Sequence, residues 1–308
     1  SQIYSNKIEF IIVDDASSDQ TKQIILQYVN LDKRFKYVHS NEGNSKLSLK
    51  KRAIDAGISN SRFDYLLFTD VDCRLNQNWV NTMMKSYNND ADYIIGCSIV
   101  KDYPKLVSKF QKLDFTMLMI SALSSTNLRF PLACSGQNQS YKKELYQDVG
   151  FSEISNILQG DDSIFMQLCK KIKKINVFFN LDKDSIVKSK PHKTWSSFLL
   201  QRIRWAGDAN IMWKYNKIFF LIIVVTFLTN LFFILSPFLI FNYIDIILLL
   251  LLIKFILEYL LYFYGLKKID QKYNFIYFIY WFVIQIPYIV IVGLLSFFSP
   301  IIGWRGNN

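Results

Sequence analysis

IFFLIIVVTFLTNLFFILSPFLIF, residues 218–241, carries no charged side chain and is long enough to cross a lipid bilayer, which takes about 20 residues. Two comparable runs follow: YIDIILLLLLIKFILEYLLYFYG (243–265), holding Asp245, Lys254 and Glu258, and the uncharged FIYFIYWFVIQIPYIVIVGLLSFFSPII (275–302). A very apolar soluble helical domain would need polar faces, and these runs show none. They commit the end of the chain to a membrane. Lys254 and Glu258 stand at i, i+4 inside a span, where unpaired charge is costly, so they are expected to pair with each other or with neighbouring helices.

Residues 1–216 read differently, with Lys, Asp and Asn throughout, as a soluble α/β protein. The expected organisation is an α/β domain over 1–195, an interfacial amphipathic helix within 196–216, and about three transmembrane helices over 217–303. Lys and Arg crowd the flank before the first span (Arg202, Arg204, Lys214, Lys217) and the loop between the second and third (Lys267, Lys268, Lys272). The positive-inside rule puts both flanks, and the soluble part with them, on the cytoplasmic face of a multi-pass cell-membrane protein. Three spans leave Arg305 outside, unless the last segment is partly re-entrant. The net charge of +11 is assigned to a surface facing anionic lipid rather than to nucleic acid. Cys73, Cys97, Cys134 and Cys169 lack metal-like spacing and read as free thiols in a reducing compartment.

Within the soluble part, KIEFIIVDD (7–15) reads as a buried strand ending in Asp14 and Asp15. A helix follows, capped by Asp19 or a nearby Ser. FKYVHS (35–40) is a short strand, and KLSLKKRAIDAGI (46–58) a basic helix closed by Gly57. DYLLFTDVD (64–72) is the next strand. This alternation predicts an open doubly wound sheet with ligands at the carboxyl ends of its strands. Asp14, Asp15, Asp70 and Asp72 then gather on one edge. If Leu66 to Phe68 are strand, side chains alternate faces and Asp70 and Asp72 point the same way, and a divalent cation would relieve their repulsion. A plain strand-end turn is the competing reading.

ACSGQNQSYKKELYQDVG (133–150) is a Gly-containing turn before a helix that begins near Lys142. LQGDDSIFMQLCKKI (158–172) starts an amphipathic helix at Asp161 and Asp162. Aspartate there is also what helix capping asks for, Asp161 above all. SSFLLQRIRWAGD (196–208) predicts a helix with Gln201, Arg204 and Trp205 on one face. Trp205 with Arg204 could equally be an interfacial anchor.

Four signals stand in order, IVDDASSD, FTDVDC, QGDD and QRIRW, with membrane spans after them. The set resembles the inverting, membrane-bound family 2 glycosyltransferases of GT-A fold, in their synthase-like branch. The resemblance runs from about residue 7 to 205. It implies an α/β, Rossmann-like, mostly parallel catalytic domain followed by an α-helical transmembrane region. It also implies a nucleotide-sugar donor such as a UDP-sugar, a lipid-linked or glycan acceptor, and polysaccharide synthesis at the cell envelope. Asp15, with Asp14 beside it, would contact the donor's base, and Lys51 its phosphates. Asp70 and Asp72 would hold Mg²⁺ or Mn²⁺ on the diphosphate. Asp162 is placed as catalytic base with Asp161 as its acidic neighbour. Gln201, Arg204 and Trp205 would close the site on the acceptor and diphosphate side, near a loop carrying Gly136 and Asn138. The family opens with an earlier strand that SQIYSNKIEF does not supply, so the chain is expected to be N-terminally truncated. A catalytically inactive scaffold retaining the fold is the alternative. The sequence has neither a P-loop motif nor a Gly-x-Gly-x-x-Gly.

Overall fold

The structure, a computed structural model, describes residues 2–157, 159–239 and 243–299; residues 240–241 and 300–302 of the apolar runs lie outside the described residues. The chain divides into two compact units. The first comprises Ser1–Val71, Leu75–Gly96 and Ala133–Ser185, and the second Asp72–Arg74, Cys97–Leu132 and Ile186–Asn308.

In the first unit, β1 (Phe10–Asp14) and β2 (Phe35–His39) pair in parallel, joined by α1 (Thr21–Leu31). The N-cap of α1 is Gln20, which makes no side-chain cap, rather than Asp19 or a Ser; Asp19, one residue earlier, accepts from the Thr21 N–H at 2.9 Å. Helix α2 (Leu49–Ser59) leads into β3 (Tyr65–Phe68), and α3 (Trp79–Lys85) into β4 (Tyr93–Gly96). Gly57 does not close α2, which runs two residues past it. A Cβ on Gly57 would lie 3.1 Å from the Val13 side chain, so its smallness brings α2 close to β1.

The expected mostly parallel sheet is instead mixed. A strand the sequence reading took for a turn, β6 (Gln139–Lys142), inserts antiparallel between β3 and β4, and β7 (Val177–Asn180) adds parallel to β4. Four residues are too few to display a period, but packing explains the insertion. The Tyr141 ring is fully buried and lies 4.6 Å from that of Phe68 and 5.4 Å from that of Tyr93. Helices α5 (Lys143–Val149) and α6 (Ser163–Ile172) complete the unit, α6 burying Ile164, Phe165, Leu168 and Cys169 as its pattern predicts, while Ile172 stays half exposed.

Strand β3 ends at Phe68, where its partner β6 begins, so Asp70 and Asp72 follow the strand rather than continue it. Side-chain alternation therefore does not align them, and they fall in different units.

In the second unit, β5 (Ser98–Val100) pairs in parallel with β8 (Val187–Ser189). The long helix α4 (Leu106–Asn127) is buried along most of its length, and α7 (Trp195–Ala209) spans the QRIRW segment. Three helices follow that are long and apolar enough to cross a membrane: α8 (Lys217–Leu239), α9 (Ile244–Lys268) and α10 (Phe275–Leu295). Their apolar side chains are largely exposed in the protein alone, as lipid-facing surfaces would be. Helix α10 is the most covered, because Tyr280 and Tyr288 pack on Phe110 of α4 with ring centres 6.3 and 5.1 Å away. The charged pair inside α9 closes on itself, Lys254 Nζ lying 2.7 Å from Glu258 Oε1, and Gln285 of α10 donates to the other Glu258 oxygen. That satisfies both carboxylate oxygens away from water.

Candidate active site

The chemistry-bearing residues of the first unit converge on one ammonium group. Lys50 Nζ lies 3.0 Å from Asp161 Oδ2 and 3.2 Å from Asp70 Oδ1. Burial opposes its charge, but Asp161, Asp70 and Asp162 outweigh that and hold its pKa above the ordinary lysine value. Lys50 is a residue the sequence reading missed in favour of its neighbour. The Lys51 side chain turns inward instead, 1% exposed, and donates to the backbone carbonyls of Ile157 and, at 2.8 Å, Gln159. Adjacent residues on a helix differ by about 100° in direction, so only one of the two lysines can face the acids. Leu49, at φ +51°, starts the helix in a left-handed conformation.

Asp162 is the N-cap of α6 and accepts from the Ser163 N–H, so capping falls to Asp162 and not to Asp161. Its other oxygen accepts from the Gly136 N–H at 3.0 Å. Burial, then the neighbouring charge of Asp161, push its pKa up to about 6, against the opposing influence of Lys50 and the two backbone donors. Local structure holds these parts together. The Ser163 hydroxyl donates to the Cys134 carbonyl and accepts from the Cys134 N–H, both at 3.0 Å, pinning the Gly136 loop to the start of α6. Gly160, at φ +94°, makes the turn that delivers Asp161, a conformation that side chains with a Cβ rarely adopt.

Gly136 lies against the site, where a larger residue would push on Lys50 and Asp161. A Cβ there would sit 2.9 Å from Lys50 Nζ and 3.3 Å from Asp161 Oδ2. Asn138 does not belong with it. It is fully buried, its Oδ1 accepting from Trp79 Nε1 at 3.0 Å and its Nδ2 donating to the Ser185 carbonyl at 2.9 Å. With both ends of its amide used, Asn138 braces the fold and is not open to an acceptor. Asn138→Ala is accordingly expected to destabilise the protein by roughly 2–4 kcal/mol, since two buried hydrogen bonds are lost and their partners stranded. A lowered thermal midpoint with unchanged KM values in the remaining folded protein checks this.

Asp14 is also internally committed. It is 4% exposed, accepting from the Ser17 N–H at 3.1 Å and from the Tyr37 hydroxyl at 3.1 Å. Burial works against its charge, yet these hydrogen bonds prevail and lower its pKa. Asp15 is exposed, next to Ala16 at φ +54°. Of the pair, Asp15 is the one accessible to a ligand.

In the second unit the structure gathers Asp72, Gln201 and Arg204 around a residue the sequence reading passed over, His192. Burial, then Arg202 and Arg204, hold the His192 pKa below its ordinary value, while Gln201 and Asp72 act in the opposite sense. His192 is therefore neutral at pH 7. The only sequence signal was its rarity, one of two histidines in the chain. The Trp205 ring lies against the Arg202 guanidinium, 4.2 Å from its centre. Among the described residues no group of three or more His, Cys, Asp or Glu side chains gathers as a metal cage.

Residues 1–150 match the family described as Glycosyl transferase family 2; the chain has mixed α/β sheets, with three candidate membrane helices toward its end. The poly-beta-1,6-N-acetyl-D-glucosamine synthase of Staphylococcus aureus is 24% identical over 156 residues, covering 50% of this chain and 37% of that protein. A Bacillus subtilis protein named provisionally as glycosyltransferase EpsH is 28% identical over 99 residues, covering 32% of this chain and 27% of its own. The chain thus aligns with about a third of the length of these curated relatives. A solved structure titled "Crystal Structure of a Mycobacterial Protein" aligns at a TM-score of 0.40 and 12% identity, covering 67% of this chain and 64% of that one; so loose a likeness carries no argument.

Proposed function

We propose that this protein is a membrane-bound, inverting glycosyltransferase with a GT-A-type domain. It moves a sugar from a nucleoside diphosphate donor to a hydroxyl of a lipid-linked or glycan acceptor at the cytoplasmic face. The observation that carries the reading is the Asp162 carboxylate, raised to about 6 and placed beside Asp161, Asp70 and Lys50. A base with a pKa just below neutral is ionised at pH 7 and still accepts a proton effectively.

In this reading Asp162 takes the proton of the acceptor hydroxyl as its oxygen attacks the anomeric carbon. The bond from that carbon to the diphosphate breaks, and its electron pair leaves with the nucleotide. Lys50 is the cation within the first unit that faces this charge, and Asp15 the accessible carboxylate for the base of the nucleotide. Gln201, Arg204 and Trp205 serve the diphosphate and acceptor side. The hard oxygen donors Asp70 and Asp72 suit Mg²⁺ or Mn²⁺; Asp70 already shares a cation, the Lys50 ammonium, with Asp161. Two carboxylates are a usual protein contribution to such an ion, the donor's phosphates and water supplying the rest. When bound, the metal would supply Lewis-acid stabilisation of the departing diphosphate.

The named product of the staphylococcal relative makes UDP-N-acetylglucosamine the first donor to try and N-acetylglucosamine oligomers the first acceptors. The test of the donor site is calorimetric titration of the detergent-purified chain with UDP, with and without Mn²⁺, beside Asp72→Asn. Metal-dependent binding that the substitution abolishes is expected. A folded chain that binds no UDP in either condition overturns the reading.

A further inference from the structure

The QRIRW segment is held by a stripe of buried polar residues on α4 that no motif includes. Ser108, Gln111 and Asp114 are 1%, 3% and 8% exposed, and each is turned toward one chain segment. Ser108 Oγ donates to the His192 carbonyl at 3.0 Å, and Gln111 Oε1 accepts from the His192 N–H at 2.8 Å. Together they fix the entry to α7. One turn further along, Asp114 Oδ2 lies 2.9 Å from Arg202 Nη2. Phe115 follows, its ring 5.9 Å from that of Trp205.

The Arg202–Asp114 pair is costly by its own geometry. Arg202 is 3% exposed, and among the described residues none of its three guanidinium nitrogens, nor Asp114 Oδ2 opposite Nη2, meets hydrogen-bond geometry, so the pair is held by charge and proximity. Its guanidinium is enclosed by rings instead, 4.2 Å from the Trp205 centre, 5.0 Å from Phe198 and 5.8 Å from Phe115. The Tyr288 side chain of α10 lies against both members of the pair. Burial raises the Asp114 pKa even with Arg202 beside it. Apolar residues of similar volume would fill such a place with equal or greater stability. What they could not provide is a flat cation, paired with a carboxylate, for one face of the Trp205 indole.

We propose that Asp114 and Arg202 are positioning residues for Trp205, fixing the plane of that indole so that its other face is presented to the acceptor sugar. This rests on the glycosyltransferase reading for the acceptor, but the positioning itself is measurable without it. Neither residue touches substrate in this scheme. Both act through Trp205.

The experiment uses the full chain in detergent and six forms: wild type, Arg202→Lys, and Asp114→Leu with Arg202→Met, each with and without Trp205→Phe. Subtracting the Trp205→Phe spectrum isolates the emission of Trp205 from the other tryptophans. The double apolar variant is expected to melt at or above the wild-type temperature, yet to show shifted Trp205 emission. Its KM for a β-1,6-linked N-acetylglucosamine oligomer should rise about tenfold, as displaced contacts produce, with donor affinity unchanged. Arg202→Lys keeps the charge and loses the plane, and is expected to shift the emission as well; it serves alone should the double variant not fold. Wild-type emission and KM in the double variant would reduce the pair to packing and overturn the proposal. If the wild type transfers no sugar, the functional reading fails, and the emission spectra alone decide whether the pair positions Trp205.

Discussion

Asp162→Asn is expected to lower the rate of sugar transfer by roughly 10²–10⁴-fold, the range for loss of a positioned general base. The fold should survive, because asparagine is as good an N-cap as aspartate and its amide oxygen can still accept from the Ser163 N–H. The wild-type pH profile carries the same signature. Burial and the charge of Asp161 raise the Asp162 pKa to about 6, above the usual carboxylate value of 3.8, and in the proposed role the ionised form is the active one. Activity therefore falls as pH drops through about 6, and kcat/KM of the free enzyme reports that limb. The stability linkage has the opposite sense. A raised folded-state pKa favours the protonated native protein, so this contribution is full below 3.8 and is lost as pH rises through about 6. Asp162→Asn removes it. Initial rates across pH 4.5–8 with melting curves at the same values measure both effects, and a variant retaining full turnover would mean that the base lies elsewhere.

Lys50→Met is expected to weaken donor binding by about 10- to 100-fold, the worth of a lost charge-assisted contact. It should also move the acidic limb of the pH profile upward. Lys50 lowers the Asp162 pKa by its charge, and without it Asp162 holds its proton to higher pH. Lys51→Met provides the contrast. Its ammonium is hydrogen-bonded to carbonyls beside Gly160, so its loss should destabilise the fold by roughly 1–3 kcal/mol and leave the limb where it was. Calorimetry with UDP, the pH profile and thermal melts on both variants separate the roles. A pH limb displaced by the Lys51 substitution and not by that of Lys50 would reverse the assignment.

The contrast between these two lysines shows where sequence reading loses resolution. The basic helix was legible, but which of its faces meets the acids was not, because that depends on partners distant in the chain: Ile157 and Gln159 for Lys51, Asp161 for Lys50. Asn138 failed for a related reason. An Asn after a Gly beside a candidate site reads as functional until its partners are known, and both partners, Trp79 and Ser185, are distant in sequence. Asp70 and Asp72 were read as an alternating pair on a strand that ends at Phe68, since strand length is set by β6 across the ladder. His192 gave no signal beyond its rarity, and the polar stripe on α4 gave none that a single sequence could carry.

What the sequence determined by itself rests on local composition and order. Uninterrupted apolar runs make membrane-length helices whatever surrounds them, since each such helix satisfies its own backbone. Alternating apolar and turn segments make an α/β domain, and the spacing of Ile164, Phe165 and Leu168 already aims α6 inward with Asp162 at its start. Only the tertiary structure decided that β6 enters the sheet antiparallel, that Lys50 rather than Lys51 meets the acids, and that Asp114 backs Arg202 beneath Trp205. Each of these is a contact between residues far apart in the chain. Such contacts are selected by burial and by the need to pair polar groups away from water, and neither can be computed from neighbours in sequence.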